Sequence, residues 1–225
     1  MDTDVNTQFL EGTCFFCLTK THKAWCYWCE QDFIQDKHRC PVCARNTSTP
    51  KACGSCLKHQ PFFTCTRVLF DYKYPGNHLI KTFKFNDRPE LAHSFADKLA
   101  GILTNDDPLP EILIPVPLHK HRQRERGYNQ SLEFASSIGK QLGITVNTTL
   151  CRRTIDTKRQ STLPMKIRKN NVKGAFKLTD ANPFDYAAIV DDVITTGSTT
   201  NEIASLLIKS GCRRVDVWAI ARTQI

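Results

Sequence analysis

Uninterrupted apolar runs alternate along this chain with apolar stripes at helical spacing, as strands buried on both faces and helices packed over them require. Residues 112–116 (ILIPV) and 187–190 (AAIV) are the clearest runs. Pro115 and Pro117 end the first run in a stiff, extended loop, because proline cannot donate to a ladder and restricts the residue before it. Its helix follows, with Leu132, Ala135, Ile138 and Leu142 on one face and Gly143 as the stop. Beyond 187–190, Ile203, Leu206 and Leu207 recur at helical spacing from about Asn201, and Gly211 closes that helix. Upstream, residues 67–103 predict a strand and two helices. Asp87, Pro89 and Glu90 give the second of these a capping-box start, and Leu91, Phe95, Leu99 and Ile102 form its stripe. Another strand is expected around 144–150. Together these elements predict an α/β domain over residues 64–225, a parallel sheet with flanking helices.

Residues 1–63 break the pattern. The start, MDTDVNTQFLEGT, is polar and acidic, unlike a signal or transit peptide. No apolar run approaches the roughly 18 residues of a membrane helix, so a soluble, cytoplasmic protein is expected, and its thiols should stay reduced. Eight of the 11 cysteines form four C-x-x-C knuckles: Cys14/Cys17, Cys26/Cys29, Cys40/Cys43 and Cys53/Cys56. Knuckles supply thiolates in pairs, and two pairs complete a tetrahedral zinc site. The gaps between knuckles are too short for a conventional core, so two structural zinc ions are expected to staple this module. Sequential pairing closes the smaller loops at the least entropic cost; a cross-brace is the alternative. Eight cysteines fill both sites, which leaves His22, His38 and His59 as surface residues. Cys212 reads as a small core residue.

The segment after 187–190 carries the chemistry. Asp191 and Asp192 stand at the strand's carboxyl end, followed by Thr195, Thr196, Gly197, Ser198 and Thr199 and then a helix. The first N–H groups of a helix lack partners and carry the positive end of its dipole, so such a turn favours an anion. Gly197 lets the backbone approach, and the hydroxyls add donors. Carboxylates only accept hydrogen bonds, so adjacent sugar hydroxyls suit them. A phosphate beside a diol points to a ribose 5-phosphate. Neither G-x-x-x-x-G-K-[ST] nor a helix-opening G-x-G-x-x-G occurs, which argues against the common nucleotide sites.

Charge sharpens this picture. The formal net charge is +9, yet residues 118–177 hold fourteen Lys/Arg against three acids. A field so concentrated suits a polyphosphate or a nucleic-acid strand. Part of it is the loop with Lys120, Arg122, Arg124 and Arg126; part is the basic stretch 151–178, interrupted by Pro164 and Gly174. A long irregular segment inside a compact domain reads as a functional lid.

Apolar residues, two acids, two further residues and T-T-G-x-T resemble the signature of the type I phosphoribosyltransferases. The resemblance implies the parallel fold of those proteins, built around phosphoribosyl pyrophosphate (PRPP) with magnesium. It implies that Asp191 and Asp192 hold the ribose hydroxyls and residues 195–199 the 5-phosphate. The loop with Arg122, Arg124 and Arg126 would bind pyrophosphate, and the stretch 151–178 would be the hood over the pocket. Three further motifs narrow this: R-x-R-G-Y-N-Q at 124–130, R-T-x-x-T-x-x-Q-x-x-L at 153–163 and R-x-x-N-V-x-G-A-F at 168–176. With the double zinc ribbon they resemble the ComF family, of ComFC and GntX-type proteins. Tyr128 is a mild departure, Phe being common there.

For ComFC-like members the resemblance implies a role in natural transformation, in which imported single-stranded DNA is handled in the cytoplasm beside competence proteins at the inner membrane. Arg152, Arg153, Lys158, Arg159, Gln160 and Arg168 are then the hood residues facing a strand, with Tyr128 the obvious aromatic for stacking. No acceptor signature is present, so two other readings stand beside that one: an active phosphoribosyltransferase on an unidentified acceptor, and a GntX-type metabolic or regulatory PRPP binder.

Overall fold

A computed structural model describes residues 12–34, 38–85, 88–103, 107–119, 124, 127–155, 172–179 and 184–224. Five parallel strands form the central sheet, in the order β1-β7-β6-β2-β3. They are β1 (Cys65–Asp71), β2 (Ile112–Pro115), β3 (Thr145–Val146), β6 (Tyr186–Ile194) and β7 (Arg214–Arg222). The expected parallel α/β architecture is present.

Alternate side chains feed two apolar layers. Leu69, Leu113, Ala188, Val190, Trp218 and Ile220 face the layer filled by α3 (Gly76–Phe85), α4 (Leu91–Ile102) and α5 (Gln130–Leu142). Val68, Ile112, Ile114, Ala187, Ile189 and Val217 face the layer closed by α6 (Ser198–Lys209). Burial on both faces is why these strands read as unbroken apolar runs. Asp216 interrupts β7, and it is buried only with partners: Arg214 Nη2 at 2.8 Å and the Tyr186 hydroxyl at 2.7 Å.

Some boundaries differ from the sequence pattern. α4 begins at Leu91, and Glu90 at its N-cap makes no side-chain cap; Arg88 takes that carboxylate at 3.2 Å instead. Asp87 lies outside the described residues. Ile102, expected in the buried stripe, is 37% exposed because it sits in the last turn. α6 starts at Ser198 rather than Asn201, since left-handed Gly197 (φ 81°) turns the chain into the helix earlier. The strand expected over 144–150 is only two residues long. Asn147 breaks it by accepting from the backbone N–H groups of Thr149 and Leu150 at 2.9 and 2.8 Å. The basic stretch has structured ends: β4 (Cys151–Arg153) pairs antiparallel with β5 (Phe176–Leu178).

The N-terminal region is a duplicated ribbon. Each copy has a small antiparallel bridge, Thr13 to Lys20 and Arg39 to Asn46. A left-handed residue follows its first knuckle, Leu18 or Ala44. A short helix then carries the second knuckle, α1 (Tyr27–Phe33) or α2 (Gly54–Lys58). The sulfur atoms of Cys14, Cys17, Cys26 and Cys29 lie within 4.8 Å of one another, as do those of Cys40, Cys43, Cys53 and Cys56. The grouping is sequential, and none of the three histidines joins either cluster. Four thiols so close together could hold a zinc ion in each copy. Cys212 is buried, as expected of a core residue.

The two copies dock differently. The first inserts Trp25 and Phe33 into the sheet's core, against Phe95 at 5.5 Å and Phe70 at 5.2 Å. The second sits over the ends of β1 and β7 through Asp71, which accepts from Arg39 at 2.7 Å, Asn46 at 2.9 Å and Gln224 at 2.8 Å. Burial alone would raise the Asp71 pKa; the bonds from Asn46 and Arg39, with the charge of Arg39, hold it below the usual range.

Metal analysis of the purified protein is expected to find two zinc ions per chain. Cys14→Ala should leave one ion and lower the melting temperature of the whole domain, because its ribbon shares the sheet's core. One ion or none in the wild type would contradict the two-site reading.

Candidate functional site

Topology decides where the sheet opens. The chain steps outward from β2 to β3 on one side and from β6 to β7 on the other, so the order reverses between β2 and β6. Ligands of open α/β sheets bind at that switch point, beyond the carboxyl ends of the strands. β2 ends at Pro115, paired with Val190. The next two residues of β6 are Asp191 and Asp192, which therefore emerge at the crevice.

Their partners are specific. Asp191 Oδ1 accepts from the Ser131 hydroxyl at 3.1 Å and from the backbone N–H of Asp192 at 2.9 Å. Ser131 is placed by the start of α5, where the Asn129 side chain accepts from the Ser131 N–H at 3.1 Å and donates to the Val116 carbonyl at 3.1 Å. Asp192 Oδ2 is 2.8 Å from Lys84 Nζ, near the end of α3. Removal from water, and next the neighbouring charge of Asp192, push Asp191 up from 3.8 to about 7; Lys84 opposes this.

The turn completes the crevice. Gly197 is left-handed, and α6 begins at the next residue. The Ser198 N–H donates to Thr196 Oγ1 at 3.3 Å, and Thr200 Oγ1 donates to the Gly197 carbonyl at 3.0 Å. A cavity of about 270 Å³ is lined by Lys84, Arg153, Asp191, Asp192, Thr195, Gly197, Ser198, Thr199 and Thr200. Thr196 is not among its lining residues and instead borders a second cavity. The first cavity has what a phosphorylated sugar requires: carboxylates for hydroxyls, an ammonium and a guanidinium for anionic charge, and a helix N-terminus.

Behind the turn stands Arg222, buried and donating to the carbonyls of Cys43 at 2.9 Å and Ile194 at 3.0 Å, and to that of Thr195. The turn is thereby tied to the second ribbon.

The other sequence candidates fare unevenly. Arg153 reaches the cavity, its guanidinium 5.6 Å from the Phe176 ring centroid. Arg152 is exposed on the same ribbon, and Arg124 is exposed and does not line the cavity. Arg122, Arg126, Lys158, Arg159, Gln160 and Arg168 lie outside the described residues. Tyr128 is partly buried, its hydroxyl donating to the Phe83 carbonyl and its ring packing 6.2 Å from that of Phe83. Lys84, Ser131 and Arg222 were invisible to motif reading. Ser131 alone left a trace, two residues after a cap-type Asn at a helix start.

A parallel sheet with an acid pair and a glycine turn at its switch point, joined to paired four-cysteine ribbons, defines the class. The chain is 35% identical over 226 residues to Competence protein F of Haemophilus influenzae, covering 95% of this chain and 98% of that one. It is 34% identical over 221 residues to the DNA utilization protein YhgH of Escherichia coli strain K12, covering 94% and 97%. Competence protein ComFC of Bacillus subtilis is 24% identical over 205 residues, 86% of this chain and 82% of that one. This chain belongs to the ComF family. No protein-family model matches it. Among solved structures, the glutamine PRPP amidotransferase of B. subtilis overlays 62% of this chain and 30% of its own, at 17% identity and a TM-score of 0.40.

The raised value of Asp191 has a direct consequence. The folded chain holds that proton more tightly than the unfolded chain, so between roughly pH 4 and 7 ionisation of Asp191 erodes stability as pH rises. Asp191→Asn cannot ionise. Its melting temperature should gain on that of wild type as pH rises from about 4 to 7 and hold that gain above, and a constant difference from pH 4 to 7 would contradict the assigned environment.

Proposed function

We propose that this chain binds PRPP with magnesium at the switch-point cavity and handles imported single-stranded DNA in natural transformation. The supporting observation is the convergence of Asp191, Asp192, Lys84 and the 195–199 turn on one cavity, in a chain 35% identical to a competence protein. Asp191 and Asp192 take the ribose hydroxyls, and the N–H groups of Thr195, Gly197, Ser198 and Thr199 take the 5-phosphate. Magnesium, arriving with PRPP, would offset part of the donor's negative charge beside Asp191 and Asp192. Lys84 and Arg153 add cations beside it, and the loop with Arg122, Arg124 and Arg126 binds the pyrophosphate.

The hood is the stretch 151–178, whose described ends are β4 and β5. With Arg152, Arg153, Lys158, Arg159, Gln160 and Arg168 it meets strand phosphates rather than bases, so binding is led by the backbone and indifferent to sequence. In this reading residues 1–63 are a structural metal module, residues 64–225 are the ligand-binding domain, and competence proteins at the inner membrane are the partners.

Titration calorimetry with PRPP and magnesium tests the pocket. The Asp191→Ala, Asp192→Ala double variant should lose about 1–3 kcal/mol of binding per charged hydrogen-bonding group. Unchanged affinity in the folded variant would remove the assignment.

The strand is tested by affinity for an unstructured oligonucleotide against salt. If about four phosphates are neutralised, log affinity should fall with log salt at a slope of about −3. PRPP should compete for the shared cations. A flat salt response would favour the metabolic reading.

A further inference from the structure

A second cavity, of about 370 Å³, borders the same turn between the second ribbon and the start of α6. It shares Ile194, Gly197 and Ser198 with the first cavity but neither aspartate. Arg45, His59, Lys173 and Arg222 line it, drawn from four separate parts of the chain. Among the described residues, Arg45 Nε is the buried side-chain polar atom with no hydrogen-bond partner, the cluster's sulfurs included. A guanidinium N–H taken out of water without an acceptor is costly; Nε itself has no accessible surface, so a ligand in the cavity would meet the outer nitrogens of Arg45.

The other charges set which anion fits. Glu202 also lines the cavity, but its Oε1 accepts from the Gly174 N–H at 2.8 Å. Arg222 is committed to its three carbonyls. The adjacent cluster of Cys40, Cys43, Cys53 and Cys56 carries a formal charge of about −2 with zinc bound, which disfavours a dianion. A singly charged phosphodiester is therefore preferred over a free phosphate monoester. Pro61 and Phe63 supply apolar wall for an attached nucleoside.

We propose that this cavity holds one phosphodiester and its flanking nucleoside from a single nucleic-acid strand, the diester oxygens meeting Arg45 and Lys173. That the diester belongs to nucleic acid rests on the function proposed above. The site itself is separate from the PRPP pocket, with the 195–199 turn as the wall between them.

The test is calorimetry on the full, zinc-loaded chain with three probes: thymidylyl-(3′→5′)-thymidine, thymidine 5′-monophosphate, and PRPP with magnesium. The dinucleotide should bind more tightly than the monophosphate. Arg45→Gln and, independently, Lys173→Gln should each weaken the dinucleotide about tenfold, as loss of a charged hydrogen bond implies. Both variants should retain two zinc ions and wild-type PRPP affinity. Lys173 is no neighbour of a cysteine knuckle, so its variant separates ligand loss from ribbon damage. The proposal is overturned if wild type does not bind the dinucleotide, if the monophosphate binds more tightly, if PRPP displaces the dinucleotide one for one, or if neither substitution weakens it. PRPP affinity is read separately, so failure of the second cavity and failure of the PRPP reading are distinguishable.

Discussion

Arg222 is where ribbon, sheet and turn converge. Only 1% of it is exposed, and a charge that far from water persists only when its donors are satisfied. The carbonyls of Cys43, Ile194 and Thr195 do this. Burial lowers the Arg222 pKa, and the Cys43 thiol group acts against that shift. Metal bound by the second cluster would turn those thiols into a thiolate set of formal charge about −2, a natural counter-charge for the guanidinium. Two of the carbonyls that Arg222 holds, those of Ile194 and Thr195, belong to residues entering the 195–199 turn. One buried cation thus fixes the turn against the ribbon, and the open edge of the sheet takes its shape from that contact.

The duplication in the N-terminal region gains meaning from this arrangement. The two ribbons share a local design, down to the left-handed residue after the first knuckle, yet they are fastened by different physics. The first buries Trp25 and Phe33 among Phe70 and Phe95, an apolar attachment on a helical face of the sheet. The second is held by charge and hydrogen bonds at Asp71 and Arg222, next to the site. One copy lengthens the core, and the other braces the crevice.

Much of this was legible from sequence because local rules govern it. Residues 112–116 and 187–190 had to be doubly buried strands, and eight cysteines at knuckle spacing had few alternatives. The acid pair, Gly197 and most of the hydroxyls could be placed at one crevice because strand, turn and helix follow one another in that order. What stayed hidden depends on pairing across long separations. Lys84 reaches Asp192, and Arg222 reaches Cys43, without either lying in a recognisable local pattern. Thr196 looked equivalent to its neighbours, but the left-handed turn at Gly197 assigns it to the other cavity. The hydrogen bond from the Tyr128 hydroxyl to the Phe83 carbonyl, 45 residues away, was equally hidden.

The central claim is that the end of β6 and the start of α6 form one ribose-phosphate site, held open by Arg222. A crystal structure of the zinc-loaded chain with PRPP and magnesium tests it most directly. The account predicts the 5-phosphate within hydrogen-bonding distance of the N–H groups of Thr195, Gly197, Ser198 and Thr199, the ribose hydroxyls on Asp191 and Asp192, and Arg222 still bonded to Ile194, Thr195 and Cys43. PRPP bound elsewhere on the chain, or a turn that breaks from Arg222 to accept it, would contradict the account.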